Sequence, residues 1–315
     1  MARFAYLFPG QGAQAVGMGK AFYDASDEAK NVYRKANARL GYDVAALCFE
    51  GPQAELTRTE KCQPALFTTS LAGYLAFVQQ APAGLQPVGA AGLSLGELTA
   101  LAAAGAFSLD DGFYLIKARG EAMAKCAVES KGAMLALIGL APEGVEAVCR
   151  DSGAWGANYN TQEQVVLSGT REAIEQAETL AKAQGAKRVV RLEVAGAFHS
   201  PLMQPAADAF KAALAKVELQ VPRFPVISNA TAQPTQNPVQ IRELLVKQIT
   251  SPVRWEASMR SLIEAGAAAM IEFPPARVLT GMLRKIDGSV KGIAIDEPSD
   301  LDQLRSDVLS AKSAC

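Results

Sequence analysis

The chain of 315 residues is long enough to bury a large core, since half of its residues are hydrophobic. Its net charge of -1, from 31 basic and 32 acidic residues, argues against general attraction to nucleic acid or to an anionic membrane. No apolar run approaches the roughly 18 residues of a membrane span, and five scattered cysteines predict free thiols rather than disulfides or a zinc site. These features predict a cytoplasmic protein without a bound metal.

Strands alternate with helices in the first part of the chain. Apolar periodicity predicts strands at 4–8 and 88–91 and helices at 18–39, 64–79, 97–106 and 114–125. The first strand ends at the loop Pro9-Gly10-Gln11-Gly12, and the second precedes a glycine-flanked serine. This alternation predicts a mostly parallel sheet with helices on both faces.

The pattern becomes richer in strands between 132 and 194. In chain order it predicts a strand at 134–138, a helix at 142–150, strands at 155–160 and 165–168, a helix at 171–184 and a strand at 189–194. That βαββαβ order is the ferredoxin-like unit. We therefore predict a small lobe at 131–195 that interrupts a large domain formed by residues 1–130 and 196–315.

The α/β pattern resumes after the small lobe. The remaining predicted helices lie at 203–216, 238–249, 253–264, 276–286 and 299–311, and the remaining strands at 224–228, 268–273 and 292–295.

A candidate nucleophile lies in the segment Gly92-Leu93-Ser94-Leu95-Gly96. This segment fits the nucleophile elbow, in which glycines let a serine sit on a tight strand-to-helix turn. A chance match is the alternative in a chain with 26 glycines. The predicted strand before Ser94 and the predicted helix after it favour the elbow, and a helix N-terminus there directs unpaired amides at an oxyanion.

A serine hydroxyl needs a base that accepts its proton, and the chain has one histidine. His199 lies in the loop after the small lobe, so an imidazole base must be His199, although a structural histidine is the alternative. No Asp or Glu stands out as the third member of a triad, which predicts that a neutral group orients the ring. The loop at Gln11 is either an ordinary turn or the source of a second oxyanion amide.

Eight short motifs together identify a resemblance. In chain order they are Phe8-Pro9-Gly10-Gln11-Gly12, Gln63-Pro64-Ala65, Gly92-Leu93-Ser94-Leu95-Gly96-Glu97, Arg119-Gly120, Asn158-Tyr159-Asn160, Gln164-Val165-Val166, Ala197-Phe198-His199-Ser200 and Ser251-Pro252-Val253-Arg254-Trp255. With these motifs the chain closely resembles, over nearly its whole length, the malonyl-CoA:acyl carrier protein transacylases and the related acyltransferases of polyketide synthases.

The resemblance implies an α/β-hydrolase-like large domain, an inserted ferredoxin-like lobe and an active site in the cleft between them. It implies that Ser94 is the nucleophile, that His199 is its base and that the amides of Gln11 and Leu95 form the oxyanion hole. It also implies that the backbone carbonyl of Gln248 accepts a hydrogen bond from the histidine.

The same resemblance assigns the substrate contacts. Arg119, which by itself would be an ordinary solvated arginine, is expected to bind the malonyl carboxylate through its guanidinium fork. Phe198 is expected to exclude larger acyl groups, with simple packing as the alternative, and Asn160 and Gln63 are expected to contact substrate.

The function implied is transfer of a malonyl group from malonyl-CoA to the phosphopantetheine thiol of an acyl carrier protein, through a malonyl-serine intermediate. No cofactor is expected, since the CoA thioester is a substrate and the acceptor carries the phosphopantetheine. A serine hydrolase or thioesterase, and a non-catalytic relative that docks carrier proteins, are the alternatives.

Three further features bear on that function. The chain departs from the family pattern at Leu93, where most members have histidine, and at Pro274-Pro275, which we expect to stiffen the start of the helix at 276–286. A basic surface is a candidate for carrier docking, with solvated charge as the alternative. It comprises Lys187, Arg188, Arg191, Arg284 and Lys285.

Overall fold

A central sheet, covered on both faces, organises the fold. A computed structural model of the chain describes residues 3–81, 85–194 and 196–304. Within them the strands are β1 (Phe4–Phe8), β2 (Gly89–Gly92), β3 (Gly132–Ile138), β4 (Trp155–Thr161), β5 (Gln164–Thr170), β6 (Arg188–Arg191), β7 (Val226–Ile227), β8 (Pro234–Thr235), β9 (Ala269–Glu272) and β10 (Lys291–Ala294).

Helices surround both sheets. In chain order the helices of the described residues are α1 (Lys20–Ala25), α2 (Asp27–Leu40), α3 (Val44–Glu50), α4 (Gln53–Thr57), α5 (Thr59–Gln80), α6 (Leu95–Ala103), α7 (Leu109–Ser130), α8 (Pro142–Ser152), α9 (Arg171–Ala183), α10 (Gln204–Leu214), α11 (Pro238–Thr250), α12 (Trp255–Glu264), α13 (Val278–Ile286) and α14 (Pro298–Leu304). A short 3-10 helix at Pro201–Met203 precedes α10. In the part of the chain that the structure describes, no helix has the length and apolar character needed to cross a membrane.

The six-stranded sheet has the order β10-β9-β1-β2-β7-β8 and is parallel except where β8 joins its edge. Strand β1 lies inside this sheet, and all of its residues are buried. Its odd and even positions face different core clusters, because side chains alternate between the two faces of a strand. Burial on both faces explains why β1 is a continuous apolar run rather than an alternating one.

The other four strands form an antiparallel sheet in the order β4-β5-β3-β6. On one face, Leu135 and Leu167 pack against α8 and α9 in a separate core. On the other face, Met134, Ala136 and Val166 belong to the core of the large sheet's helices. The small sheet is therefore stabilised from both sides, and its second face borders the cleft described below.

Backbone hydrogen bonds also join strand β4 of the small sheet to the segment before α12. Val253, just before α12, donates its N–H to Ala157 O at 2.8 Å and accepts from Tyr159 N at 2.9 Å. These bonds extend β4 by one short parallel bridge. The predicted class, a mostly parallel α/β sheet with a βαββαβ lobe, is confirmed. The domain limits at 130/131 and 195/196 stay predictions.

Several predicted elements differ in extent. Helices α3 and α4 were not predicted, because 7 and 5 residues are too few to show a clear period. The predicted start at residue 64 was wrong, since α5 begins at Thr59 and keeps Pro64 inside. Burial of most residues along α5 offsets the loss of the one backbone hydrogen bond that Pro64 cannot donate. Of the helix predicted at 299–311, the residues after Leu304 lie outside the described residues.

The expected effect of Pro274 and Pro275 on a helix start was also wrong. Helix α13 begins at Val278, so both prolines precede its first turn. Pro274 instead packs against Gly73, and its carbonyl accepts a hydrogen bond from Ser70 Oγ at 2.5 Å. Through Pro274, the segment before α13 packs against helix α5.

The turn between β2 and α6 is tight because two glycines lack side chains. A Cβ at Gly92 would collide with the backbone of Gly96 and Glu97, and a Cβ at Gly96 would collide with Phe8 O. Strand and helix can therefore approach each other only with glycine at both positions.

We predict that Gly92→Ala lowers the free energy of unfolding by at least about 2 kcal/mol, because the new methyl group must displace backbone. Gly281→Ala is the control. A Cβ at Gly281, inside α13, meets no atom within 4 Å, so alanine should stabilise the protein by up to about 1 kcal/mol. Urea unfolding curves compare the two variants. A Gly92→Ala protein as stable as wild type would contradict the close approach of β2 and α6.

Candidate active site

Ser94 occupies the sharp turn between β2 and α6. Its backbone angles, φ 54° and ψ −107°, lie where non-glycine residues are rarely found. Asn229, which follows β7, holds this turn with its side-chain amide: Oδ1 accepts from Ser94 N at 2.7 Å, and Nδ2 donates to Gly92 O at 2.8 Å. The carboxyl ends of the neighbouring strands β2 and β7 thus fix the serine.

His199 lies beside the serine, with its Nε2 2.8 Å from Ser94 Oγ. The other ring nitrogen, Nδ1, lies 2.9 Å from the backbone carbonyl of Gln248. Because a carbonyl only accepts, Nδ1 carries the proton and Nε2 presents its lone pair to the serine hydroxyl. The neutral group at the ring is therefore a main-chain carbonyl.

Burial keeps this imidazole uncharged. Desolvation and the nearby Arg119 charge together lower the pKa of His199 to about 4, against the opposing effect of its hydrogen bond to the Gln248 carbonyl. A neutral ring at pH 7 is the form that accepts a proton. The backbone of His199 has φ 57°, and Ser168 Oγ holds the preceding residue through a 2.7 Å bond to Phe198 O.

Two backbone amides beside Ser94 are free to donate. Among the described residues, no acceptor is bonded to Gln11 N or to Leu95 N, the first amide of α6. Ser94 N is already bonded to Asn229. Both amides can therefore donate to a ligand in the cleft, and glycines on both sides of Gln11 let its backbone approach a ligand. Their assignment to an oxyanion hole stays a prediction.

Arg119 projects from α7 into the base of the site and is 1% exposed. One terminal nitrogen, Nη1, donates to Gln63 Oε1 at 2.7 Å, and Nη2 donates to Gln248 Oε1 at 2.8 Å. Nη2 also lies 3.1 Å from Ser94 Oγ. Burial lowers the pKa of Arg119 to about 10, so the guanidinium stays charged at neutral pH. A buried cation thus meets the hydroxyl and two amide oxygens.

A second layer of polar groups lies beneath these residues. The side-chain Nε2 of Gln248 donates to Glu97 Oε2 at 2.6 Å and to Ser94 O at 3.0 Å. Glu97 Oε2 also accepts from Asn229 N at 2.9 Å. The Glu97 carboxylate therefore binds both the backbone N–H of Asn229 and the side-chain amide of Gln248.

A cleft of about 260 Å³ opens above Ser94 and lies between the two sheets. The small sheet contributes Met134, Asn158 and Asn160, while α13 contributes Met282. Phe198 also lines the cleft, with 6% of its surface exposed. The Oδ1 atom of Asn160 is buried there without a hydrogen-bond partner among the described residues.

All nine predicted site residues border this cleft or touch a residue that does. Eight of the nine line it directly, while Gln248 lies behind them and contacts Arg119. The side-chain oxygen of Gln63 accepts a hydrogen bond from Arg119, and its Nε2 lies 3.5 Å from Met123 Sδ. Its contact with substrate stays a prediction. Leu93 lines the cleft and packs over Gly10.

The predicted basic surface is partly neutralised. Lys187 pairs with Glu163 at 3.5 Å, and Arg191 pairs with Glu178 at 2.6 Å. Its role in carrier docking stays a prediction that now depends mainly on Arg188, Arg284 and Lys285, which are exposed.

Sequence reasoning missed two residues of the site, Asn229 and Glu97. Glu97 is the one acidic residue of α6, whose other members are apolar, small or threonine, and an acid in such a helix was a usable signal. Asn229 follows a strand of only 2 residues, and nothing in its local sequence marks it.

Comparisons with known proteins show which family the chain is similar to. The sequence matches the family model described as acyl transferase domain over residues 5–295. It is 41% identical over 307 residues to the malonyl CoA-acyl carrier protein transacylase of Bacillus subtilis (strain 168), covering 96% of each chain. An acyl carrier protein S-malonyltransferase from Vibrio cholerae superposes with a TM-score of 0.93 at 36% identity, covering 96% of this chain and 100% of that one.

A further solved structure contains a malonyl-transacylase in complex with a type II PKS acyl carrier protein. It superposes with a TM-score of 0.92 at 35% identity, covering 96% of this chain and 98% of that one.

The lowered pKa of His199 predicts an unusual pH profile for the reactivity of Ser94. A fluorophosphonate probe should label Ser94 at about pH 5.5 at a rate within about twofold of that at pH 7, since the ring stays neutral down to about pH 4. An unshifted histidine would lose about tenfold. Labelling rates and circular dichroism at each pH test this, and an acid limb centred near the ordinary histidine pKa would contradict it.

Proposed function

The chain belongs to the acyl transferase domain family, and we propose that it moves a malonyl group from malonyl-CoA to the phosphopantetheine thiol of an acyl carrier protein. One observation carries this proposal: Ser94 Oγ lies 2.8 Å from the base His199 and 3.1 Å from the cation Arg119. A nucleophile, its base and a group that matches a carboxylate therefore meet at one oxygen.

The first half-reaction acylates the serine. His199 Nε2 takes the proton of Ser94 Oγ as this oxygen attacks the thioester carbonyl carbon of malonyl-CoA. The amides of Gln11 and Leu95 stabilise the oxyanion of the tetrahedral intermediate. The carbon–sulfur bond then breaks, and the CoA thiolate receives the proton from His199, which leaves malonyl-Ser94.

The second half-reaction repeats these steps with the other thiol. His199 takes the proton of the carrier protein's phosphopantetheine thiol, whose sulfur attacks the malonyl ester. The oxyanion occupies the same amides, and Ser94 Oγ leaves with the proton held by His199. Each step uses protein groups and the two thiols, so we propose no metal or organic cofactor.

Arg119 selects the acyl group in this proposal. Its guanidinium can form two parallel charge-assisted hydrogen bonds with the distal carboxylate of a malonyl group. An acetyl group leaves that buried cation without an anionic partner, which is unfavourable in a site that excludes water. Phe198, which also lines the cleft, limits the size of the acyl group.

The proposed compartment is the cytoplasm. Cys48, Cys62, Cys126 and Cys149 are free thiols in the structure, as a reducing environment favours.

The function is tested by intact-protein mass measurements after exposure to malonyl-, acetyl- and methylmalonyl-CoA. Wild type should gain one malonyl group, retain it for minutes without an acceptor and release it when a carrier protein is added. Ser94→Ala should gain none. Rapid loss to water would instead favour the hydrolase alternative, and no mass gain by wild type would favour a non-catalytic protein. Labelling by methylmalonyl-CoA as fast as by malonyl-CoA would remove the size limit assigned to Phe198.

We further predict that Arg119→Ala lowers the acylation rate with malonyl-CoA by about 100-fold, and that with acetyl-CoA by less than about fivefold, because the lost interaction is a charged hydrogen bond. Lys125→Ala is the control, since Lys125 is exposed on the same helix. Rapid-quench measurements of acyl-enzyme formation give both rates. Equal losses with the two substrates would remove the role assigned to Arg119.

A further inference from the structure

Glu97 is a buried acid that the proposed reaction does not use. It lies in the first turn of α6, is 2% exposed and is the one charged residue of that helix. Removing a carboxylate from water is unfavourable unless nearby groups compensate its charge. Because Glu97 lies one turn from Ser94, the groups that compensate its charge also belong to the site.

The contacts of Glu97 lead to Arg119 through one side chain. Glu97 Oε2 accepts from Gln248 Nε2 at 2.6 Å, and Gln248 Oε1 accepts from Arg119 Nη2 at 2.8 Å. The amide of Gln248 thus lies between an anion and a cation, with its donor end toward the carboxylate and its acceptor end toward the guanidinium.

Only one orientation of this amide satisfies both neighbours. A carboxylate accepts hydrogen bonds and a guanidinium donates them. If the amide turned round, its NH₂ would face the guanidinium and its oxygen would face the carboxylate, which replaces two hydrogen bonds by two repulsive contacts. The Glu97 carboxylate, with the Ser94 carbonyl beside it, therefore favours the orientation in which Gln248 Oε1 meets Arg119.

We propose that Glu97 is a positioning residue for acyl selection: its carboxylate fixes the Gln248 amide, which in turn aims the Arg119 guanidinium at the carboxylate of the acyl group. Glu97 acts on Arg119 and not on the base, because His199 bonds to the main-chain carbonyl of Gln248, which α11 holds in place. This inference rests on the proposed malonyl transfer.

A protonated Glu97 loses its control of the amide, since its hydroxyl can donate to a reversed Gln248. Burial raises the pKa of Glu97 to about 7, against the lowering effects of Asn229, Gln248 and Arg119. The charged group that acts on it is Arg119 from α7, while Gln248 from α11 and Asn229 after β7 do not titrate. The carboxyl is ionised above about pH 7 and protonated below it, so acyl selection weakens as the pH falls.

The test compares wild type with Glu97→Gln and Glu97→Ala. The measured quantity is the ratio of Ser94 acylation rates with malonyl-CoA and acetyl-CoA at about pH 8, where Glu97 is ionised. This ratio should fall by about tenfold in Glu97→Gln, where a neutral hydrogen bond replaces a charged one, and by more in Glu97→Ala, where the bond is lost. Fluorophosphonate labelling of Ser94 should fall by less than acylation with malonyl-CoA, since His199 bonds to the main chain of Gln248. A loss that passes through Asn229 affects both acyl substrates equally and leaves their ratio unchanged.

Glu272→Gln is the matched control, because Glu272 is also a buried carboxylate but bonds to backbone amides at the start of α13. It should keep the wild-type ratio. An unchanged ratio in folded Glu97→Gln, or equal losses of acylation with both substrates and of labelling, would overturn the inference in favour of a purely structural Glu97. A wild type that does not prefer malonyl-CoA would overturn the proposed function itself, and the inference with it.

The pH dependence of the malonyl-to-acetyl rate ratio gives a second readout. The ratio for wild type should fall by about fivefold between about pH 8 and pH 6, because a minority of Glu97 stays ionised at pH 6, and should be flat for Glu97→Gln. Parallel pH profiles for the two proteins would overturn the inference.

Discussion

The hydrogen bond between His199 Nδ1 and the backbone carbonyl of Gln248 sets the chemistry of the site. Gln248 lies in the last turn of α11, and its carbonyl, which accepts a long 3.4 Å bond from the backbone N–H of Ser251, carries the partial negative charge of a helix C-terminus. This carbonyl fixes the ring tautomer as an acid would, and its dipole favours the imidazolium that forms during proton transfer. A carbonyl carries no full charge, so the ring is oriented without a carboxylate bonded to it in the buried site.

Gln248 serves two functions because its main chain and side chain point at different partners. The main-chain carbonyl orients the base, while the side-chain amide connects Arg119 with Glu97. The site thus keeps its proton chemistry separate from its recognition of a carboxylate, although both converge on Ser94 Oγ. In the role proposed for Glu97, its replacement changes acyl selection more than it changes the base, which bonds to the main chain.

The sequence predicted most of the elements because their signals are local. The nucleophile elbow is five residues long, and its glycines mark it directly; His199 follows because the chain has one histidine. Arg119 has no local signal, since its helix is otherwise ordinary, and only the family resemblance singled it out. The contacts that Asn229 makes with Glu97 and Gly92 join residues more than 130 positions apart, so no local pattern could reveal them.

Nitrogen NMR of isotope-labelled protein tests the central claim most directly, because the single histidine gives one pair of ring signals. At neutral pH the account predicts a neutral ring with the proton on Nδ1, a bare Nε2, and chemical shifts that change when Ser94 is replaced by alanine. A ring protonated on Nε2, or a fully charged imidazolium, would contradict the account, because neither form can accept the serine proton.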